Sequence, residues 1–145
     1  MERKITLLII ILLLVPIVAI ATRYTINGDG TVTDNVTGLM WQQEDDNIFR
    51  TWESAITYCE NLVVHPSTYS DWRLPNIKEL RSIIASTQYN PAIESTAFPN
   101  TNSSNYWSST EGSNTLAWYV AFYEGSYSNN FKTIENYVRC VREGE

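Results

Sequence analysis

The chain has 145 residues and a net charge of −6 at pH 7, with 16 aspartates and glutamates against 10 lysines and arginines. Nucleic-acid binding depends on clustered Lys and Arg side chains that displace counterions, so the composition excludes nucleic acid as an expected partner. The length suits one domain with a single core of its own.

The first 21 residues have the pattern of an export signal. Two basic residues precede an uncharged apolar run over 5–20, and the segment closes on an Ala-Ile-Ala sequence that fits a small-x-small cleavage site. We expect a signal peptide at 1–21, cleaved after Ala21, and a secreted, periplasmic or cell-envelope domain at 22–145. The alternative is a retained N-terminal membrane anchor, which would make the membrane a partner. The run is shorter than the roughly 20 apolar residues of a spanning helix.

The first predicted element of the domain is a β-hairpin over 24–34. Its turn at 27–30 reads Asn-Gly-Asp-Gly, and these residue types tolerate the positive φ of tight hairpin turns. A calcium loop is the alternative for the turn, but EF-hand spacing is not matched. A short buried strand is predicted over 37–42. The acidic patch at 44–46 is interpreted as a solvated loop, with cation binding as the alternative.

Two helices are predicted next. Thr51 can cap the first helix, which carries Cys59, and a proline after His65 ends that region. Asn76 can cap the second helix, and Glu79 follows three residues later as in a capping box. The apolar residues that recur at helical spacing are Trp52, Ala55, Ile56, Leu62 and Val63 in the first helix and Ile77, Leu80, Ile83 and Ile84 in the second.

The C-terminal half is predicted to contain a long loop and then short strands. The loop over 86–104 is rich in Asn, Pro, Ser and Thr and lacks periodicity, so we interpret it as ordered but irregular. Strands are predicted over 106–109 and 117–122, with a turn at 124–125. A closing strand is predicted over 137–141.

Cys59 and Cys140 are the two cysteines of the chain. In an exported protein, two distant cysteines favour a structural disulfide, and a bridge here would tie the first helix to the last predicted strand. The alternative is a pair of reactive thiols. Redox thiols usually form a C-x-x-C motif, which this chain lacks.

The groups that catalysis would need are sparse. The single histidine, His65, stands beside a proline in a predicted loop, where a surface or turn role is typical. The chain lacks a G-x-S-x-G elbow and a Gly-rich phosphate loop, and paired cysteines could not supply a His/Cys metal cluster. We therefore expect a binding or structural module that needs no cofactor. Whether a metal ion is bound stays open.

Five short blocks, taken in order, resemble one bacterial family. They read TGLMW at 37–41, DWRLPN at 71–76, YWSST at 106–110, AW at 117–118 and VRCVR at 138–142. Together they resemble the Lcl C-terminal domain family, named after the C-terminal domain of a bacterial collagen-like adhesin. The resemblance covers nearly all of the chain after the export signal.

The resemblance implies an α+β fold of the C-type-lectin-like type, with two helices packed on small antiparallel sheets, long loops and one disulfide. Formylglycine-generating enzymes and the variable proteins of diversity-generating retroelements share this fold. In C-type-lectin-like domains a cysteine of the first helix bonds one in the last strand, and Cys59 and Cys140 occupy those places.

We expect the protein to be a secreted, non-catalytic binding module that recognises an extracellular glycan or surface protein, as an adhesin does. One alternative is an enzyme related to the formylglycine-generating enzymes, which would need a reactive thiol. Another is a structural subunit of a cell-envelope assembly, for which a stable homo-oligomer is expected.

The predicted ligand surface lies in the last third of the chain. Alternation predicts that Trp118, Val120 and Phe122 face the core, and Tyr119 then faces outward. Aromatic rings beside amides suit sugar faces and protein hot spots alike. The resemblance to the retroelement variable proteins implies a ligand surface in the same stretch. The alternative is that these tyrosines only cover a hairpin or pack under the long loop. The candidate ligand-binding residues are Tyr119, Tyr123, Tyr127, Asn129 and Asn130.

Overall fold

The protein folds into two small antiparallel sheets and two helices. The structure, a computed structural model, describes residues 22–144. A four-stranded sheet has the order β1-β2-β3-β7, and a three-stranded sheet has the order β4-β5-β6. The elements are β1 (Tyr24–Ile26), β2 (Thr31–Asp34), β3 (Leu39–Gln42), α1 (Trp52–Glu60), α2 (Ile77–Ser82), β4 (Asn105–Glu111), β5 (Leu116–Ala121), β6 (Ser126–Phe131) and β7 (Val141–Glu143).

The β1–β2 hairpin forms where the sequence predicts it. Gly28 and Gly30 adopt φ values of 77° and 81°, the left-handed region that glycine reaches without steric cost. The Asp29 carboxylate accepts hydrogen bonds from the backbone N–H and the hydroxyl of Thr31. The Asp of the turn is therefore used to close the turn.

The two helices begin at the predicted residues but are capped differently. Asn76 accepts a hydrogen bond from the Glu79 backbone N–H, and the Glu79 carboxylate accepts one from the Asn76 N–H, so the predicted capping box of α2 is confirmed. The Thr51 hydroxyl instead donates to Ser54 Oγ and makes no cap hydrogen bond to the backbone of α1. α1 ends before Val63, which is exposed.

Two predictions for the C-terminal strands are wrong. β6 is a strand that the sequence does not predict, because its polar Ser and Asn residues lack a strand pattern. It pairs with β5 over the whole length of both strands. The closing strand is Val141–Glu143 rather than 137–141. The segment before it is divided between the sheets: Tyr137 forms an isolated bridge with Tyr106 of β4, and Val141 pairs with Trp41 of β3.

Both faces of the three-stranded sheet contribute side chains to the core. The face under α2 belongs to a cluster of buried side chains that we call the α2 cluster, and the other face belongs to the α1 cluster. The α2 cluster contains Val32, Leu39, Trp41, Leu80, Ile83, Ile93, Ala97, Phe98, Tyr106, Val120, Phe122 and Val141. The α1 cluster contains Met40, Trp52, Ala55, Cys59, Trp72, Leu74, Trp107, Ala117, Val138 and Cys140.

Cys59 of α1 and Cys140 form a disulfide between fully buried side chains that are 81 positions apart. The predicted structural bridge is confirmed, and since the chain has two cysteines, neither is left as a thiol. The bridge ties α1 to the segment that leads into β7.

The fold class is α+β with two helices, two small antiparallel sheets and one disulfide, as predicted. The finer assignment to the C-type-lectin-like fold stays a prediction. None of the helices within residues 22–144 is both long and apolar enough to cross a membrane. The predicted signal peptide at 1–21 lies outside the described residues.

Candidate functional site

The β5–β6 hairpin divides the predicted ligand-binding residues between two faces. Val120 lies opposite Tyr127, Trp118 opposite Asn129, and Ala117 opposite Asn130. Directly opposite residues of an antiparallel pair share a face of the sheet. Tyr127 and Asn129 therefore lie on the α2 side with Trp118, whereas Asn130 lies on the α1 side with Tyr119.

The α1 side of the hairpin is largely occupied by the protein's own side chains. Tyr119 is half-buried and packs edge-on against Trp107, with ring centroids 6.4 Å apart. Lys132 Nζ lies 4.1 Å from the ring centroid of Trp52 and 2.7 Å from Glu111 Oε2, which closes the neighbouring surface. Tyr119 thus packs against the α1 cluster, and only part of its side chain is accessible to a ligand.

Tyr123 lies just past β5 and is 39% exposed. The neighbouring Glu124 carboxylate raises the pKa of the Tyr123 phenol above its ordinary value, because a phenolate beside a carboxylate is disfavoured. The position is accessible, but it lies in the turn between β5 and β6 rather than on the α2 side of the hairpin.

The α2 side presents aromatic rings to solvent around an amide. We call Trp118, Tyr127, Asn129 and Phe131 the hairpin face. Tyr127 is 44% exposed and Phe131 is 59% exposed, while Trp118 is half-buried and lies outside both buried clusters. The rings of Trp118 and Tyr127 are 6.0 Å apart between centroids. The prediction that Trp118 faces the core together with Val120 and Phe122 is wrong, because its ring is half-buried on the part of the sheet face that lies beyond the α2 cluster. Phe131 is not a predicted site residue, and only the pairing of β6 could have placed it beside Trp118.

A cavity of about 470 Å³ adjoins the hairpin face, and we call it the basic cavity. Arg81 of α2 stacks on Tyr127, with its Cζ atom 3.8 Å from the ring centroid. Gly125 forms part of the wall at φ 77°, and a Cβ atom there would come within 3.0 Å of Ile84 Cγ2. The lining residues are Lys78, Arg81, Ser82, Ile84, Gly125 and Tyr127.

The two cations of the basic cavity differ from the other Lys and Arg residues of the described chain in having no ion pair. Within residues 22–144, every other Lys and Arg forms an ion pair with a carboxylate, whereas Lys78 and Arg81 form none. Both side chains are exposed. An acidic protein therefore keeps two unneutralised cations at one end of an aromatic surface.

A larger cavity of about 620 Å³ lies between β1 and the loop that follows α2. Arg23 and Glu94 both line it, but Arg23 is already paired with the buried Asp34 at 3.1 Å. The Glu94 carboxylate accepts hydrogen bonds from backbone N–H groups of its own loop. Burial raises the pKa of Tyr24, at the wall of this cavity, to about 12. The charged groups of this cavity are thus largely bonded to other parts of the protein rather than free to bind a ligand.

The acidic patch at 44–46 is not simply a solvated loop, and that prediction is corrected for Asp45. Asp45 is buried, because its carboxylate accepts a 2.6 Å hydrogen bond from the Tyr106 hydroxyl and pairs with Arg139. Asp46 pairs with Arg50 at 2.5 Å. Residues 22–144 contain no group of three or more His, Cys, Asp or Glu side chains that could hold a metal ion.

No curated protein matches the chain. Residues 30–142 match the family model described as the Lcl C-terminal domain. The matched range includes both cysteines, the hairpin face and the basic cavity. The chain belongs to the Lcl C-terminal domain family.

Proposed function

We propose that the protein is a secreted, non-catalytic binding module that recognises an extracellular glycan or protein ligand through the hairpin face. The observation that carries this proposal is the exposure of Tyr127 and Phe131, beside the half-buried Trp118, around the Asn129 amide. Aromatic rings bury large areas at low entropic cost and dominate binding hot spots, and an amide supplies hydrogen bonds that fix orientation.

The strands behind the hairpin face make it a rigid platform. β5 is the central strand of its sheet and pairs with β6 at six consecutive positions. Val120, beside the face, is fully buried under α2. A surface that is already ordered loses little conformational entropy on binding, which favours affinity.

The disulfide supports the proposal that the module is not an enzyme. The enzyme alternative needs a reactive thiol, and Cys59 and Cys140 are bonded to each other. His65 is exposed in a loop after α1, and no hydrogen bond or ion pair orients its ring within the described part of the chain. A general base needs such orientation as well as reach to a substrate.

Two experiments test this proposal. N-terminal sequencing of protein recovered outside the cytoplasm should begin at Thr22, and recovery of the uncleaved chain in the membrane fraction would favour the anchor instead. The protein purified from cells that express the full chain is then screened against a glycan array and an extracellular protein array.

Tyr127→Ala and Phe131→Ala should each weaken binding to the hits by about fivefold or more, because each removes an aromatic anchor. Val36→Ala is the matched control, since Val36 is 75% exposed and lies in the turn between β2 and β3. Equal binding by all three variants would remove the hairpin face as the site.

A further inference from the structure

The outer edge of β6 offers unpaired backbone groups. β6 is the last strand of its sheet, so nothing in the described chain pairs with its outer side. The Lys132 N–H donates to the Thr115 carbonyl, and inward and outward hydrogen bonds alternate along an antiparallel strand. The N–H and C=O groups of Tyr127 and Asn129 therefore point away from β5, toward solvent.

This edge carries none of the features that usually prevent strand addition. Exposed edges are generally blocked by charged side chains, proline or a bulge. β6 reads Ser-Tyr-Ser-Asn-Asn-Phe and pairs with β5 without a register shift. The uncharged, regular edge is thus open to another strand at Tyr127 and Asn129, whereas the Phe131 N–H already donates to Asn130 Oδ1 at 2.9 Å.

A strand added at this edge would meet the hairpin face and the basic cavity in a fixed order. The residue paired with Tyr127 would place its side chain on the α2 side, because opposite residues share a face. Arg81 stands over Tyr127 there, with Lys78 in the same cavity. The next residue on that face, two positions along, would lie opposite Asn129 and diagonal to Phe131, with Trp118 of β5 on the far side of Asn129.

We propose that the ligand is an extended peptide segment of a partner protein, which adds to β6 as a fourth strand. It carries an acidic side chain opposite Tyr127, held by Arg81 and Lys78, and a large apolar side chain two positions away that packs on Phe131. This inference rests on the proposed function and names its ligand class. Main-chain hydrogen bonds supply affinity in this mode, and alternate side chains supply specificity.

A random linear peptide library displayed on phage and selected on the purified protein tests the side-chain pattern. Selected peptides should be enriched in Asp or Glu two positions from an aromatic or aliphatic residue. The double variant Lys78→Gln with Arg81→Gln should lose that acidic enrichment and bind the selected peptides about tenfold more weakly. Selection of peptides without the acidic position, or equal binding by the double variant, would overturn the assignment.

A pair of substitutions at one position tests strand addition itself. Asn129→Pro removes an outward N–H, and an edge strand tolerates this because no bond to β5 is lost. Asn129→Ala removes only the side-chain amide and is the matched control. Asn129→Pro should bind the peptides at least about tenfold more weakly than Asn129→Ala. Equal binding by the two variants would refute the proposal that the peptide adds to β6 as a fourth strand.

Amide hydrogen exchange in the unsubstituted protein also tests strand addition, and it does not depend on whether a variant folds. Saturation with a selected peptide should slow exchange at the Tyr127 and Asn129 N–H groups, and a peptide N-methylated at its acidic residue should not bind. Unchanged exchange at both groups would refute strand addition. Loss of binding in Tyr127→Ala together with unchanged exchange would leave the hairpin face as a glycan or folded-protein site, so the two proposals fail separately.

Discussion

The Arg139 guanidinium lies 3.2 Å from the Asp45 carboxylate, with both side chains almost fully buried at 0% and 1% exposure. Arg139 also donates to the hydroxyl of Thr101 and to backbone carbonyls at the end of β3. The Tyr106 hydroxyl donates to the same carboxylate at 2.6 Å. This network joins the end of β3, the long loop, β4 and the segment before β7, so it holds the irregular parts of the chain to both sheets.

Arg139→Met should destabilise the protein by about 3 to 5 kcal/mol, because it leaves the Asp45 charge buried without its partner. The free energy of unfolding is measured by urea titration. Arg81→Met is the control at an exposed arginine with no ion pair, and its effect on stability should stay below about 1 kcal/mol, the size of its exposed cation–π contact with Tyr127. Similar values for the two variants would show that the buried network contributes little.

The two helix starts predict unequal costs for similar substitutions. Asn76→Ala removes the side chain that accepts the Glu79 N–H, so it should cost about 1 kcal/mol of unfolding free energy. Thr51→Ala should cost less than about 0.5 kcal/mol, because the Thr51 side chain makes no cap hydrogen bond to the backbone. Equal losses in urea titration would contradict this assignment of the caps.

Replacing Cys59 and Cys140 together by serine should lower the free energy of unfolding by about 2 to 5 kcal/mol, as in other small disulfide-bonded domains. The bridge links segments 81 positions apart and constrains the unfolded chain. Urea midpoints of the two proteins give the comparison. An unchanged midpoint, or thiols that react with a thiol reagent in the native protein, would refute a structural bridge.

Stability should fall at high pH partly through Tyr24. Burial raises the pKa of Tyr24 to about 12, whereas an unfolded tyrosine titrates near 10. Between these values the folded state keeps a proton that the unfolded state has lost, so the free energy of unfolding decreases as pH rises from about 10 to about 12. Tyr24→Phe should lose less stability than the unsubstituted protein between about pH 9 and about pH 11.5. Parallel losses would place the alkaline sensitivity elsewhere.

The elements predicted best are those whose local chemistry is complete in the sequence. The hairpin turn at 27–30 contains the glycines that adopt positive φ. The α2 capping box is formed by Asn76 and Glu79, which are only three residues apart. β6 could not be predicted in this way, since its Ser and Asn residues have low strand propensity and the strand exists because β5 lies beside it.

The same reason limits prediction of the site. Tyr127 and Asn129 are in the predicted set, but their separation from Tyr119 follows from the register of a strand that the pattern does not indicate. Period-2 alternation assumes one buried and one exposed face. β5 has buried side chains on both of its faces, so Tyr119 packs on Trp107 where an exposed ring is expected.

Heteronuclear NMR can locate the ligand on the protein surface, with a hit from the glycan or protein screen titrated into the purified protein. The largest shifts should fall on the backbone N–H groups of Tyr127, Asn129 and Phe131 and on the indole N–H of Trp118. Shifts confined to the cavity beside β1, around Arg23 and Glu94, would contradict binding at the hairpin face.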